Sequence, residues 1–78
     1  MVDVILPELA EGVDKAVVSF WHYNIGEDIA EGDDLVEMLT DKATFNVPAP
    51  AAGKLIKIHA GEGESVQVGD KIAIIEVK

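Results

Sequence analysis

Short apolar runs rich in β-branched residues alternate along this chain with Gly, Pro, Asp or Asn every few residues. This pattern is typical of strands joined by tight turns, and no segment sustains the i, i+3, i+4, i+7 spacing of an amphipathic helix. The sequence therefore predicts an all-β fold. The predicted strands are Val2–Leu6, Ala16–Tyr23, Asp28–Ala30, Leu35–Leu39, Thr44–Val47, Lys54–His59, Ser65–Gln67 and Ile72–Val77. Alternation is broken in Leu55–Ile58, which predicts a β-bulge or burial on both faces.

An internal repeat adds a symmetry to this list of strands. Residues 21–33 align with residues 58–70 at an offset of 37, with matches that include Gly26 on Gly63 and Asp33 on Asp70. Leu6-Pro7 matches Val47-Pro48 at an offset of 41, which predicts four extra residues between Pro7 and Ala16. Two copies of a four-strand unit predict a flattened barrel or sandwich. It would contain two four-stranded antiparallel sheets related by a pseudo-two-fold axis, each half covering the other's apolar face.

Length and charge limit the classes of function. At 78 residues we expect one domain, spanning 1–78. The net charge of −9 comes from 15 acidic residues against six lysines, so nucleic acid and anionic membranes are disfavoured partners. The acidic surface serves solubility or steers docking to basic proteins, and the sequence leaves both open. Cysteine is absent, which excludes disulfides and Cys zinc sites and fits a reducing compartment.

The residues that could support catalysis form no recognisable constellation. Ser19 and Ser65 lack the surrounding G-x-S-x-G pattern of a nucleophile elbow. His22 and His59 occupy equivalent positions in the repeat, so structural equivalence explains both. The sequence therefore favours a carrier or binding module over an enzyme.

The junction of the two repeats carries the most informative segment. The strand Leu35–Leu39 runs through Thr40–Ala43 (TDKA) into the strand Thr44–Val47, which predicts a hairpin with Asp41 and Lys42 at its tip. Asp supports such turns by side-chain bonds to the backbone and tolerates positive φ, whereas Lys is statistically a poor turn residue. A solvated lysine that blunts a hairpin end and a lysine presented for modification both remain open at this point.

Residues 35–53 (LVEMLTDKATFNVPAPAAG) resemble the modification hairpin of lipoyl domains from 2-oxo acid dehydrogenase complexes. The resemblance covers nearly the whole chain. Val4–Leu9 resembles the family's opening strand, and Gly26–Ile29 and Gly32-Asp33 resemble its first Gly-Asp turns. Pro48–Gly53 resembles its Pro-x-x-x-Gly passage into the second half. One departure is Leu39, where many members carry Glu. The implied fold is the lipoyl/biotinyl "hammerhead" type.

The resemblance also implies a function. Lipoic acid would be attached to Lys42 as an amide by a lipoate ligase or lipoyl transferase, with Asp41 and Ala43 recognised in the turn. The lipoyl arm would pass acyl groups and electrons between a thiamine-dependent decarboxylase, an acyltransferase catalytic domain and a dihydrolipoyl dehydrogenase. The chain would be a non-catalytic part of a dihydrolipoamide acyltransferase, monomeric when isolated. Its expected location is the cytoplasm of a prokaryote or the mitochondrial matrix of a eukaryote.

The extra segment of the first half is the second candidate site. By resemblance it lies near the modified lysine and contributes to partner recognition, and tolerated surface variation is the alternative. Its residues are Glu8, Leu9, Ala10, Glu11, Gly12, Val13 and Asp14. Residues Asp14–Ala16 spell the same Asp-Lys-Ala triplet as the tip, but the segment before them is predicted as a loop. We therefore expect a ligase that recognises a hairpin tip to ignore Lys15.

Two other functions compete with the lipoyl carrier. Biotin carrier domains share the fold and present a lysine at a turn, but they usually flank that lysine with methionines. Here the flanking residues are Asp41 and Ala43. An unmodified β-sandwich used only for protein docking would leave Lys42 as a free amine.

Overall fold

The computed structural model describes residues 1–77; Lys78, the last residue of the predicted domain, lies outside them. The strands are β1 (Val2–Ile5), β2 (Lys15–Trp21), β3 (Asp28–Ile29), β4 (Asp34–Leu39), β5 (Thr44–Pro48), β6 (Gly53–Ile58), β7 (Ser65–Gln67) and β8 (Lys71–Val77). Every predicted strand is present, with ends that differ by at most two residues. Residues 1–77 contain no helix, so the all-β prediction is confirmed.

The strands form two antiparallel sheets that each mix the two halves of the chain. One sheet has the order β1-β8-β6-β3 and the other β5-β4-β2-β7. Exchanging β1–β4 with β5–β8 converts one order into the other. The predicted pseudo-two-fold sandwich is therefore confirmed, and neither half forms a sheet by itself.

Strand register follows the same symmetry. Val17 pairs with Leu39 between β2 and β4, and Lys54 pairs with Glu76 between β6 and β8. Each residue of the second pair is numbered 37 higher than its counterpart. The β6 register shifts between Leu55 and Lys57, which confirms the predicted bulge, and β2 carries the equivalent shift.

The first strand of each half shows a different offset from the one that the sequence predicts. The Leu6 N–H donates to the Asp70 carbonyl oxygen over 2.9 Å, and the Ala49 N–H donates to the Asp33 carbonyl oxygen over 2.8 Å. Leu6 and Ala49 are thus equivalent, at an offset of 43, and the offset of 41 was wrong. The first half carries six extra residues and not four, because residues 8–15 stand where the second half has only 51 and 52. Leu6-Pro7 and Val47-Pro48 have similar sequences, but they occupy different positions in the ladders of their two sheets.

Acidic side chains close the turns that the two halves share. Glu27 accepts the backbone N–H of Asn24 over 2.6 Å, and Glu64 does the same for Gly61 over 3.0 Å. Gly26, between Asn24 and Glu27, has φ +97°, as the third position of a type II turn requires. The pair Asp33 and Asp70 plays the same part in the following turns. The repeat therefore preserves turn chemistry.

The core lies between the two sheets. Trp21 closes one edge, where its Nε1–H donates to the Ala60 carbonyl oxygen over 2.8 Å. No buried side-chain N or O atom lacks a hydrogen-bond partner in the part of the chain that the structure describes. The largest fully buried side chains belong to Leu6, Leu35, Met38, Leu55, Ile72 and Ile75. Two of them lie in β4, the strand that leads to the Lys42 hairpin.

Candidate functional site

The hairpin that joins the two halves places Lys42 at an exposed turn, which we call the tip (Thr40–Ala43). Leu39 at the end of β4 pairs with Thr44 at the start of β5, so only the four tip residues lie outside the ladder. Asp41, Lys42 and Ala43 are all exposed. The hairpin and the position of its lysine are as predicted.

Thr40 holds the tip through its side chain. Its Oγ1 accepts the backbone N–H groups of Lys42 (3.2 Å) and Ala43 (3.1 Å) and donates to the Ala43 carbonyl oxygen (2.9 Å). A hydroxyl has one donor and two acceptor lone pairs, so Thr40 uses its full capacity. Thr40 was not predicted as a site residue from the sequence, although threonine hydroxyls form hydrogen bonds of this kind to nearby backbone groups in turns.

Asp41 does not play the part expected of it. No residue other than Gly has a positive φ among residues 1–77, so the turn makes no use of the tolerance of Asp for that region. Hydrogen bonds from Thr40 replace the expected ones from the Asp41 carboxylate. The exposed Asp41 side chain is left facing solvent beside Lys42. Its role in recognition by a ligase stays a prediction.

The Lys42 amine makes no ion pair with any residue of the described range 1–77. The one salt bridge within residues 1–77 joins Lys71 Nζ to Asp3 Oδ2 over 3.4 Å, in the other sheet. An exposed amine without a charged partner has no strong contact to break before it reacts. The geometry therefore suits a lysine that is presented to another protein.

A groove of about 700 Å³ lies beside the tip. The end of β4 and the tip form one wall, from Leu39 to Lys42, and Gly12–Val17 forms the other. Ser65 of β7 completes the lining. The groove arises because β2 runs antiparallel to β4, so that the start of β2 and the loop before it lie at the same end as the tip.

The predicted recognition segment is brought to this end only in part. Gly12, Val13 and Asp14 line the groove, whereas Glu8 lines an adjoining cleft with Val68. Leu9 packs against the core. Ala10 and Glu11 open a turn in which the Val13 N–H donates to the Ala10 carbonyl oxygen over 3.1 Å. Partner recognition by these residues stays a prediction.

The second Asp-Lys-Ala triplet has a different backbone context. Lys15 is the first residue of β2 and pairs with Gln67 of β7. It lines the same groove as Lys42, so both lysines are near the tip. Lys15 is held in a strand, whereas Lys42 stands on a turn. Two identical triplets thus present their amines differently.

Within residues 1–77, no cluster of three or more His, Cys, Asp or Glu side chains is placed to hold a metal ion. The described part of the chain has no helix that is long and apolar enough to cross a membrane.

The fold and the tip match a known family. The family model described as "Biotin-requiring enzyme", of the biotin/lipoyl type, matches residues 2–75. The chain belongs to the biotinyl/lipoyl domain family.

The relatives of the chain identify the branch of this family. The succinyltransferase component of a 2-oxoglutarate dehydrogenase complex from Bartonella vinsonii subsp. berkhoffii is 42% identical over 95% of this chain and 18% of that protein. The acetyltransferase component of a pyruvate dehydrogenase complex from Mycobacterium bovis is 40% identical over 95% of this chain and 13% of that protein. The chain thus spans less than a fifth of either relative.

A solved structure agrees with the sequence relatives. The lipoyl domain of the 2-oxoglutarate dehydrogenase complex from Azotobacter vinelandii superposes with a TM-score of 0.76 at 28% identity. The alignment covers 97% of this chain and 96% of that one. These matches do not favour the biotin alternative. Together with the family match they show that the chain is a non-catalytic carrier domain of the lipoyl type, as predicted.

Proposed function

We propose that Lys42 is lipoylated and that the domain carries acyl groups and electrons within a 2-oxo acid dehydrogenase complex. The observation that supports this most strongly is the tip itself. It presents one unpaired amine on a turn fixed by Thr40, in a domain of the lipoyl type. The relatives are named as components of complexes that act on 2-oxoglutarate and pyruvate.

The residues at the tip fit a lipoyl group. The carboxyl carbon of activated lipoate would bond to Lys42 Nζ as the activating group leaves, and the ammonium would give up two of its three protons to become an amide N–H. The formal charge of the chain then changes from −9 to −10. No ion pair opposes this loss of charge, and the exposed flanking residues Asp41 and Ala43 leave room for a ligase. When bound, the lipoyl group supplies a dithiolane that is reversibly reduced and acylated.

The role of the protein is to position the lipoyl arm. The tip is anchored to β4 and β5, which pair without interruption from Leu39–Thr44 to Val36–Val47, so the attachment point stays fixed while the arm moves. Tethering raises the effective concentration of the arm at any active site that the domain reaches. A rigid surface around the arm also gives partner enzymes a constant shape to recognise.

The proposed partners follow from this cycle. A lipoate ligase or lipoyl transferase would load Lys42. A thiamine-dependent decarboxylase would acylate one sulfur of the arm and reduce the other to a thiol, and an acyltransferase catalytic domain would pass the acyl group to coenzyme A. A dihydrolipoyl dehydrogenase then reoxidises the dithiol. The groove wall Gly12–Asp14, absent from the second half, is the surface we assign to partner discrimination.

Mass spectrometry of the ligated protein tests the proposal. The folded chain is incubated with a lipoate ligase, lipoate and ATP, beside Lys42→Arg and Lys15→Arg, and the product is mapped by peptide. We expect one lipoyl amide, on Lys42, that persists in Lys15→Arg and is absent from Lys42→Arg. A matched reaction with a biotin ligase and biotin should give no adduct. A biotinyl adduct, or no lipoyl adduct on a folded chain, contradicts the proposal.

A further inference from the structure

The two sheets differ at three exposed ladder positions although their backbones are equivalent. Three apolar side chains are exposed on the β5-β4-β2-β7 sheet: Val17 (37% exposed), Phe20 (38%) and Leu39 (48%). Val17 and Leu39 alternate with inward-facing residues of β2 and β4, and so lie on the outer face. Phe20 follows the register shift of β2 and is on the same face, because it pairs with Glu37 between the buried Val36 and Met38. Their counterparts at an offset of 37, in the other sheet, are the exposed charged residues Lys54, Lys57 and Glu76.

Equivalent positions in the two sheets show which side chains the fold itself requires. The pair Lys54–Glu76 shows that this ladder position accepts charged residues. The fold therefore does not need apolar side chains at Val17 and Leu39. Leaving them exposed loses the favourable burial of apolar surface. Neighbouring apolar residues at an exposed position are typical of a surface that contacts another apolar group.

Two of the three apolar residues lie in the tip groove. Val17 and Leu39 are directly paired across β2 and β4, and both line the groove that Lys42 also lines. Phe20 does not line it and pairs instead with Glu37 in the next row. The groove thus combines an apolar pair with the attachment lysine. In the other sheet, the equivalent end carries the start of β1 and the end of β8 instead of a hairpin.

We infer that the lipoyl arm on Lys42 folds back into this groove and rests on the Val17–Leu39 pair. The inference depends on the proposed lipoylation of Lys42. Leu39 is three residues from Lys42, which is about 10 Å along an extended strand. A lysine side chain extended by a lipoyl group is longer than that distance, so the ring reaches the apolar pair.

The chemistry of the arm matches the groove. Amide formation removes the Lys42 charge, and the remaining aliphatic chain and dithiolane are apolar. Tethering keeps the arm at a high effective concentration, so a weak apolar contact is enough to populate the folded-back position. The resting arm is then partly covered, and it is released when a partner enzyme offers a better site.

Methyl NMR of the lipoylated domain tests the inference. The Val17 and Leu39 methyl signals are compared in the unmodified chain, in Lys42→Gln and in the lipoylated chain. Lys42→Gln removes the charge without adding an arm. We expect Val17 and Leu39 to shift on lipoylation, by more than in Lys42→Gln, while the exposed Ile25 methyls stay unshifted. A labelled lipoyl group should also show slower motion than a free lipoyl amide.

The symmetry of the chain supplies the variants. Val17→Lys with Leu39→Glu reproduces the pair that the other sheet already carries, so the fold is retained. We expect this double variant to be lipoylated and its arm to move as freely as a free lipoyl amide. Phe20→Lys places the matching charge on the same face outside the groove and should leave the arm signals unchanged.

The outcomes separate this inference from the proposed function. No lipoylation of Lys42 removes both. Stoichiometric lipoylation without shifts at Val17 and Leu39 overturns only the folded-back arm. The folded-back arm is also overturned if the double variant shows the same arm signals as the unsubstituted lipoylated chain but is no longer acylated by the decarboxylase. The apolar pair would then be a docking surface for another protein.

Discussion

The backbone N–H and the side-chain hydroxyl of Thr40 both donate to the carbonyl oxygen of Ala43, each over 2.9 Å. The same hydroxyl accepts two backbone N–H groups from inside the turn. One side chain thus fixes the conformation of the residues that flank Lys42. The order of the tip depends on this threonine more than on Asp41.

Replacing Thr40 with Val should loosen the tip. The change removes the side-chain hydroxyl and keeps the shape, so we expect the unfolding free energy to fall by ~1 kcal/mol. Ligation of lipoate to Lys42 should slow, because the turn is less ordered when the ligase binds. Ligation rates and amide exchange at residues 41–43 measure both effects. Thr44→Val is the control, since it makes the same change in β5; an equal effect of the two variants would contradict the role of Thr40.

Gly53 should be intolerant of any side chain. A Cβ added there would lie against the backbone carbonyl of Glu76 and 2.8 Å from Ile75 Cγ2. Overpacking of this kind costs about 1–3 kcal/mol, and here backbone must move as well. We expect Gly53→Ala to lower the urea midpoint strongly. Its counterpart in the other sheet is Ala16, and Ala16→Gly should cost only about 0.5–1 kcal/mol. The prediction fails if the two variants have similar midpoints.

Tyr23 should titrate at unusually high pH. Its hydroxyl donates to Asp33 Oδ2 over 2.9 Å, and this hydrogen bond, with burial and the Asp33 charge, raises the pKa of Tyr23 above 10.0. The folded state therefore holds the proton more tightly than the unfolded state. This stabilisation is complete below pH 10.0 and is lost as pH rises through the folded-state pKa.

The near-ultraviolet absorbance of tyrosinate measures this pKa directly, because Tyr23 is the only tyrosine of the chain. Asp33→Asn should lower the pKa towards its ordinary value. Glu31→Gln, which removes a nearby charge that does not act on Tyr23, should leave it unchanged. An unaltered titration in Asp33→Asn would show that another group raises the pKa.

Shortening the β1–β2 loop should separate loading from partner recognition. Residues 8–15 are replaced by Ala-Ala, the length and sequence of residues 51–52 at the equivalent place. The domain should remain folded, with a stability loss of up to ~3 kcal/mol because Val13 is buried. We expect lipoylation of Lys42 to be kept and acylation by the decarboxylase to fall. Unchanged acylation kinetics would assign partner recognition to another surface.

Interactions between near neighbours in the chain explain why the strands, the turns and the Lys42 hairpin could be predicted from the sequence. Period-2 alternation marks the strands, and Gly26 followed by Glu27 marks a turn whose hydrogen bonds close within four residues. The Lys42 hairpin is also local, since two strands separated by a short polar segment pair with each other. These features depend on neighbours in the chain, so a pattern of residues is enough to predict them.

Pairing between residues far apart in the sequence determined the features that could not be predicted, namely the offset between the two halves and the tip groove. The offset of 43 between Leu6 and Ala49 is fixed by their hydrogen bonds to the far turns, and no local match reveals it. The tip groove exists because β2 lies beside β4, which brings Val17 to Leu39 and the β1–β2 loop to Lys42. A sequence records which residues are apolar, but the free energy of burial depends on which of them the ladders bring together. The exposed pair Val17–Leu39 beside Lys42 could therefore be found only in the folded chain.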